Sequence, residues 1–257
     1  MKNIIVQIYE VQDPLEAESL VEIGVDRIGS VIVSETDWKV QGVKDTIRRL
    51  RSAPAKSSLI PLFNSPESIL RTLDYYQPDI VHFCESLVNE KDVWDYCLRL
   101  IQLQKNVKER FPHIKIMRSI PIAQYGKNKS VSTLELAGWF EPVSDIFLTD
   151  TMLANESGIG AAPQPVRGFV GITGQRCNWD TAAELVASCR IPVILAGGVS
   201  PGNVAEGIRQ VKPAGVDSCT RTNALDKNGQ LIRFKKDLKK VKQLVDAVRE
   251  AEKTLTS

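Results

Sequence analysis

Short apolar runs and segments of helical periodicity alternate along the whole chain. The apolar runs fall at Ile4 to Ile8, Arg27 to Val33, Ser58 to Phe63, Asp79 to Phe83, Ile114 to Ile120, Asp145 to Leu148, Pro192 to Ala196 and Gly215 to Cys219. Continuous runs of this length, without an in/out alternation, are expected of strands buried on both faces of a parallel sheet. Between and after them, apolar residues recur at helical spacing over Pro14 to Ile23, Val40 to Arg51, Pro66 to Tyr75, Asp92 to Phe111, Ser132 to Phe140, Thr181 to Ser188, Gly202 to Val211 and Phe234 to Lys253. Eight strands alternating with eight helices in 257 residues predict an α/β fold, a (β/α)8 TIM barrel, as a single domain over residues 1–257. An open doubly wound sheet is the other arrangement for such a pattern, but no G-x-G-x-x-G follows the first strand. The small-residue and proline-rich stretch at about 152–170 predicts an extended loop after strand six, suited to a lid or an oligomer contact.

The stretch Ile191 to Asn223 packs most information into least length. A buried run, Pro192 to Ala196, leads directly into Gly197-Gly198, where the backbone can turn without a Cβ clash. Ser200 suits a helix N-cap and Pro201 the first helical position. Paired glycines ahead of a helix N-terminus present backbone N–H groups to an anion such as phosphate.

Composition narrows the class. Apolar residues make up 43% and charged residues 25%, with a net charge of +2, so electrostatics give no case for a nucleic-acid partner. The lysines at 235, 236, 239, 240 and 242 alternate with Leu238, Val241, Leu244, Val245 and Val248, which reads as the solvated face of a last helix. No run reaches membrane-spanning length, and the opening MKNIIVQIYE is too short for a signal-peptide core. Five cysteines without C-x-x-C spacing argue against a disulfide framework and a zinc site, and only His82 and His113 are available as imidazole ligands. A cytoplasmic protein without cofactor or metal, monomeric or homodimeric, is expected.

In a barrel of this type the chemistry sits where strands end. Those positions hold Tyr9 and Glu10, Cys84 and Glu85, Arg118, Asp150, Gly197 and Gly198, and Thr220 and Arg221. Asp150, after the apolar Ile146-Phe147-Leu148, would serve as a general acid or base if a dry pocket raised its pKa. A loop carboxylate or helix cap is the other reading of the same position. A lysine nucleophile, Lys39 or Lys115, would imply lyase chemistry instead.

Four segments resemble the phosphoribosylanthranilate isomerase family, tryptophan-pathway barrels that rearrange a phosphorylated aminosugar. They are the opening VQIYEVQDPLEAESLVEIGVDRIGSVIV, LTDT at 148–151, GITGQRCNW at 171–179, and LAGGVSPGNVAEGI at 195–208 followed by the Val216-Asp217 pair. The resemblance implies an aldose-ketose isomerase, with Asp150 as general acid. It also implies a phosphorylated small-molecule ligand held around Gly174, Gly197, Gly198, Thr220, Arg221 and Asp217. Register places Tyr9 where the family carries its cysteine base, Gln7 where it carries a lysine, and Arg221 where it carries a glycine. Glu10, Cys84 and Glu85 are therefore the candidates for a relocated base, with Arg118 orienting a carboxylate or a second anion. An altered substrate or reaction is expected, the alternative being a non-catalytic barrel that binds phosphate ligands in a regulatory or partner role.

Overall fold

Each strand-to-helix unit is built from local signals. Asp13 accepts hydrogen bonds from the amides of Leu15 and Glu16, Pro14 occupies the first turn, and Gly24 closes the helix in the left-handed region, giving α1 (Pro14–Ile23). Asn178 does the same for the helix at Trp179–Ser188 by accepting from Asp180 and Thr181. The computed structural model describes residues 3–88, 92–127, 131–153 and 165–254. Among them, eight parallel strands close into a barrel in chain order: β1 (Ile5–Ile8), β2 (Arg27–Ile32), β3 (Lys56–Pro61), β4 (Ile80–Phe83), β5 (Lys115–Ala123), β6 (Ile146–Met152), β7 (Val193–Leu195) and β8 (Gly215–Ser218). The remaining helices of the outer layer are α2 (Gln41–Leu50), α3 (Pro66–Tyr76), α4 (Val93–Arg110), α5 (Thr133–Phe140), α6 (Trp179–Ser188), α7 (Val204–Val211) and α8 (Leu238–Thr254).

Closure comes from β1 pairing with β8 in register from Ile5 with Gly215 to Ile8 with Ser218. Arg249 of α8 locks the seam, donating to the Ile4 carbonyl at 2.8 Å and to Asp26 at 3.0 Å, while Asp26 accepts from the Val6 amide. The two-residue period of the strands then sorts side chains. Val6 and Ile8 face outward and pack with Leu20, Val245 and Val248 of the helical layer. Tyr9, Met117, Ile146, Leu148, Ile194 and Ala196 face inward and fill the barrel.

The barrel centre also carries a polar chain. The Tyr9 hydroxyl lies 2.6 Å from the Ser58 hydroxyl and 2.8 Å from His82 Nδ1, and His82 Nε2 lies 2.8 Å from the Ser119 hydroxyl. All four residues are buried, so each link satisfies a group that would otherwise be stranded away from water.

The structure departs from expectation at three elements. β6 runs on to Met152, so Asp150 stands within a strand and not in a loop. α7 begins at Val204, leaving Ser200 and Pro201 in a preceding turn; the Asn203 side chain pins that turn by accepting from the Ser200 amide and donating to the Gly198 carbonyl. Phe234 to Lys236 are not helical: they belong to β10 (Leu231–Lys236), which forms an antiparallel hairpin with β9 (Asn223–Leu225). Lys236 accordingly lies buried on a strand and off the solvated helix face assigned to it. Of the extended loop expected at 152–170, residues 154–164 lie outside the described residues, and 165–170 run over the barrel mouth.

Candidate active site

A cleft opens at the C-terminal ends of the strands, enclosing about 760 Å³ of space between atoms with its open mouth included. Its floor is the inward row of strand ends: Tyr9, His82, Cys84, Leu148, Asp150, Ala196 and Asp217. One wall is the segment after β6. Glu85 bridges to Phe169, the Val170 amide donates to the Cys84 carbonyl at 2.9 Å, and the Thr151 hydroxyl donates to the Gln175 carbonyl at 2.7 Å. These bonds carry Gly171 to Gly174 across the mouth toward Gly197 and Gly198.

Asp150 sits where the β6 end meets this wall. A Cβ built on Gly171, whose φ is +110°, would stand 2.3 Å from Asp150 Oδ2, so only glycine lets the loop close over the carboxyl. Burial pushes the Asp150 carboxyl up to about 7, against a single stabilising bond from the Thr151 amide. Asp217 at the end of β8 is also pushed up to about 7 by burial, while Gln7 donates to it at 3.1 Å. Two carboxyls that are neutral or half-neutral near pH 7 thus line one cleft, the condition for proton donation at physiological pH.

The glycine loops, Thr173, Thr220 and Arg221 make the opposite rim. Gly174, Gly197 and Gly198 all have positive φ, and Arg221 Nε donates to the Gly174 carbonyl at 2.9 Å, tying the loop after β6 to the turn after β8. Arg221 is exposed, with its guanidinium at the cleft edge.

Several candidates are held in ways that do not suit the roles expected of them. Tyr9 is 3% exposed and its hydroxyl is tied into the barrel centre, with burial pushing it well above the ordinary phenol range. Gln7 is wholly buried below the cleft and holds Asp217. Cys84 lines the cleft, but burial and the neighbouring Glu85 and Asp150 push its thiol well up. Arg118 and Glu85 point outward from the barrel, because their strand positions have the opposite parity to those of His82 and Ser119. They form an ion pair at 2.5 Å with neither exposed, and the guanidinium also donates to Gln104 of α4 and packs between Phe83 and Phe140. Arg118 is therefore not free to orient a substrate carboxylate, and Glu85 is not a base in the cleft. Lys39 stacks on Trp38 and Tyr75, and Lys115 is exposed at the far end of β5.

The β9–β10 hairpin brings residues that the pattern of long elements does not reveal. Arg233 reaches the Glu10 carboxylate at 2.6 Å, and Lys236 donates to the Cys219 carbonyl at 3.1 Å and to the Asn223 side chain. The Asn228-Gly229 pair between two short runs was the available signal, since Asn-Gly favours a hairpin turn. Among the described residues no group of three His, Cys, Asp or Glu side chains is placed to hold a metal ion, and no helix is long and apolar enough to cross a membrane.

Comparison with known proteins gives a consistent picture. A family model for N-(5'-phosphoribosyl)anthranilate isomerase matches residues 88–247. The chain is 32% identical over 145 residues to the N-(5'-phosphoribosyl)anthranilate isomerase of Methanocella arvoryzae, covering 56% of this chain and 55% of that protein. It thus matches only about half the length of this relative. It is 26% identical over 249 residues to the enzyme of the same name from Methanosarcina acetivorans, covering 95% of this chain and 92% of that one. In fold it is similar to phosphoribosyl anthranilate isomerase from Thermotoga maritima, with a TM-score of 0.67 at 20% identity over 96% of this chain and 99% of that one.

Proposed function

The chain belongs to the phosphoribosylanthranilate isomerase family, and from that membership we infer that it isomerises a phosphorylated aminosugar, N-(5'-phosphoribosyl)anthranilate, by acid/base proton transfer. The observation that carries this reading is the placement of Asp150: a half-buried carboxyl pushed up to about 7, covered on one side by Gly171 and standing beside the glycine loops.

The reaction needs a proton delivered to the sugar ring oxygen as the bond from that oxygen to C1 breaks. It then needs a proton removed from C2, so that the C–H electron pair forms the C1–C2 double bond. Asp150 in its neutral form supplies the first proton and, as carboxylate, later takes the C2 hydroxyl proton as the ketone forms. Asp217, held by Gln7, would accept a hydrogen bond from a sugar hydroxyl. The loops at Gly171 to Gly174 and Gly197 to Gly198, with Thr220 and Arg221, would bind the phosphate.

A fluorescence assay of turnover, comparing the intact protein with Asp150→Asn, tests this. The expected result is turnover that falls about 10²- to 10⁴-fold in the variant, while inorganic phosphate still raises the melting temperature of both proteins. Absence of turnover in the intact protein, with phosphate stabilisation retained, would mean a different phosphorylated substrate.

A further inference from the structure

Glu10 is the one cleft carboxylate of the described residues that is held by a cation at hydrogen-bond distance. It follows β1 with φ +63°, a left-handed conformation that a glutamate adopts only under constraint. The turn it makes sends its side chain across the top of the barrel, where it is 1% exposed. One oxygen, Oε1, accepts from Arg233 Nε at 2.6 Å. The other, Oε2, is buried and accepts from no N–H or O–H donor, the carboxyl's remaining polar neighbour being the weakly donating Cys219 thiol, in a residue that lines the cleft. A buried carboxylate oxygen without a strong donor costs free energy, and unlike Glu85 Oε1, which is orphaned in the helical layer, this one belongs to a residue that lines the cleft, where a ligand can use it.

The rest of the surroundings fit a carboxylate fixed in place. Around it stand Arg233 of β10, the Cys219 thiol after β8, Lys236 within 4.0 Å of that thiol, and Asp217. Burial pushes the Cys219 thiol up, with the Glu10 and Asp217 carboxyls adding to the rise and Lys236 opposing it, so Cys219 stays a neutral thiol. Tyr9 and Cys84 are also held in their neutral forms, and Asp217 lacks a cation at bonding distance. Glu10 and Asp150 stand on β1 and β6, separated round the barrel by β8 and β7, and so approach a bound sugar from different sides.

We propose that Glu10, clamped by Arg233 of the β9–β10 hairpin, is the general base that takes the C2 proton while Asp150 serves the ring oxygen. The proposal rests on the isomerase reading. Glu10 Oε2 accepts the proton, the C2–H electron pair becomes the C1–C2 double bond, and the C1–N π pair returns to nitrogen. Glu10 then returns its proton to C1 as Asp150 takes the C2 hydroxyl proton, which restores both groups without oxidant or co-reactant.

The test is steady-state turnover of N-(5'-phosphoribosyl)anthranilate across pH by the intact protein, Glu10→Gln, Glu10→Asp and Arg233→Ala, with the melting temperature of each. For Glu10→Gln, kcat falls about 10²- to 10⁴-fold with KM little changed. Glu10→Asp, which keeps the charge but sets it back by one methylene, recovers part of that loss. Arg233→Ala, which releases the clamp on Oε1, lowers kcat with KM little changed, the split expected of a positioning residue. A folded Glu10→Gln within about tenfold of the intact protein overturns the role of Glu10 and leaves the isomerase reading standing. If Glu10→Gln does not fold, a folded Arg233→Ala that keeps the kcat of the intact protein overturns it. An intact protein with no turnover overturns both readings.

Discussion

The Tyr9 ring lies on the bare backbone of Gly29. A Cβ at position 29 would fall 1.9 Å from Tyr9 Cδ1 and 2.0 Å from Cε1, so the two residues on neighbouring strands share one volume. That contact lets the ring lie down into the barrel and reach Ser58 and His82 in place of projecting into the cleft.

Gly29→Ala therefore forces the ring off its seat and breaks the polar chain at its hub. Overpacking of a tight core typically costs about 1–3 kcal/mol, and stranded buried hydroxyl and imidazole groups add to it. Urea unfolding should show a loss of at least this size. An unchanged midpoint would mean that the ring has another place to go.

Gly171→Ala acts on chemistry more than on stability. The new methyl meets Asp150 Oδ2, the movable end of a side chain, and displaces the proton donor. The left-handed φ of +110° adds about 1–2 kcal/mol of backbone strain for an L side chain. The expected outcome is a drop in kcat that exceeds any rise in KM, together with a small fall in melting temperature.

Stability should depend on pH with an unusual sign. Asp150 and Asp217 are pushed up to about 7 in the folded chain, against 3.8 as the ordinary value, so the folded state holds more protons between those pH values. Their contribution is full below about pH 4 and is lost as pH rises to 7. His82 is pushed down to about 3 by burial, from 6.5, and works the other way: its contribution is present above pH 6.5 and lost as pH falls toward 3. Two groups oppose one, so the stability contributed by these three falls as pH rises from about 4 to 7. Denaturant titrations at stepped pH check this, and Asp217→Asn should flatten the slope.

Glu85→Gln separates structure from catalysis. Removing the charge leaves Arg118 uncompensated between Phe83 and Phe140, and breaking a buried ion pair costs about 3–5 kcal/mol. The melting temperature should fall sharply while activity per folded molecule persists. A folded variant that has lost turnover would place Glu85 in the chemistry after all.

Much of the barrel was legible because each strand is a short continuous apolar run and each helix repeats at its own period. Boundaries slipped where tertiary contacts outweighed local signals, as at Ser200 and Pro201, where the Asn203 side chain holds a turn ahead of the helix. Side-chain direction was the harder matter. Glu85 sits one residue from Cys84, and Arg118 one from Ser119, yet parity sends one of each pair outward into the helical layer. The strand-end rule names positions; it does not say which face they show. The hairpin was missed because β9 is three residues long and the lysines of β10 run on into α8, so that its Asn-Gly turn was submerged in a basic helical pattern.

The partnership of Glu10 with Arg233 spans 223 residues, and it has a consequence for how the protein is made. A nascent chain emerging from the ribosome through Gly198 already carries Asp150 and both glycine loops. β1 has no second neighbour until β8 appears, and Glu10 has no counter-charge until the hairpin follows. An interrupted translation product therefore holds an acid and an anion cradle but an unclosed sheet and a stranded carboxylate. Synthesis makes nothing partially active, and the stretch from β8 through the β9–β10 hairpin completes both the barrel and its charge balance.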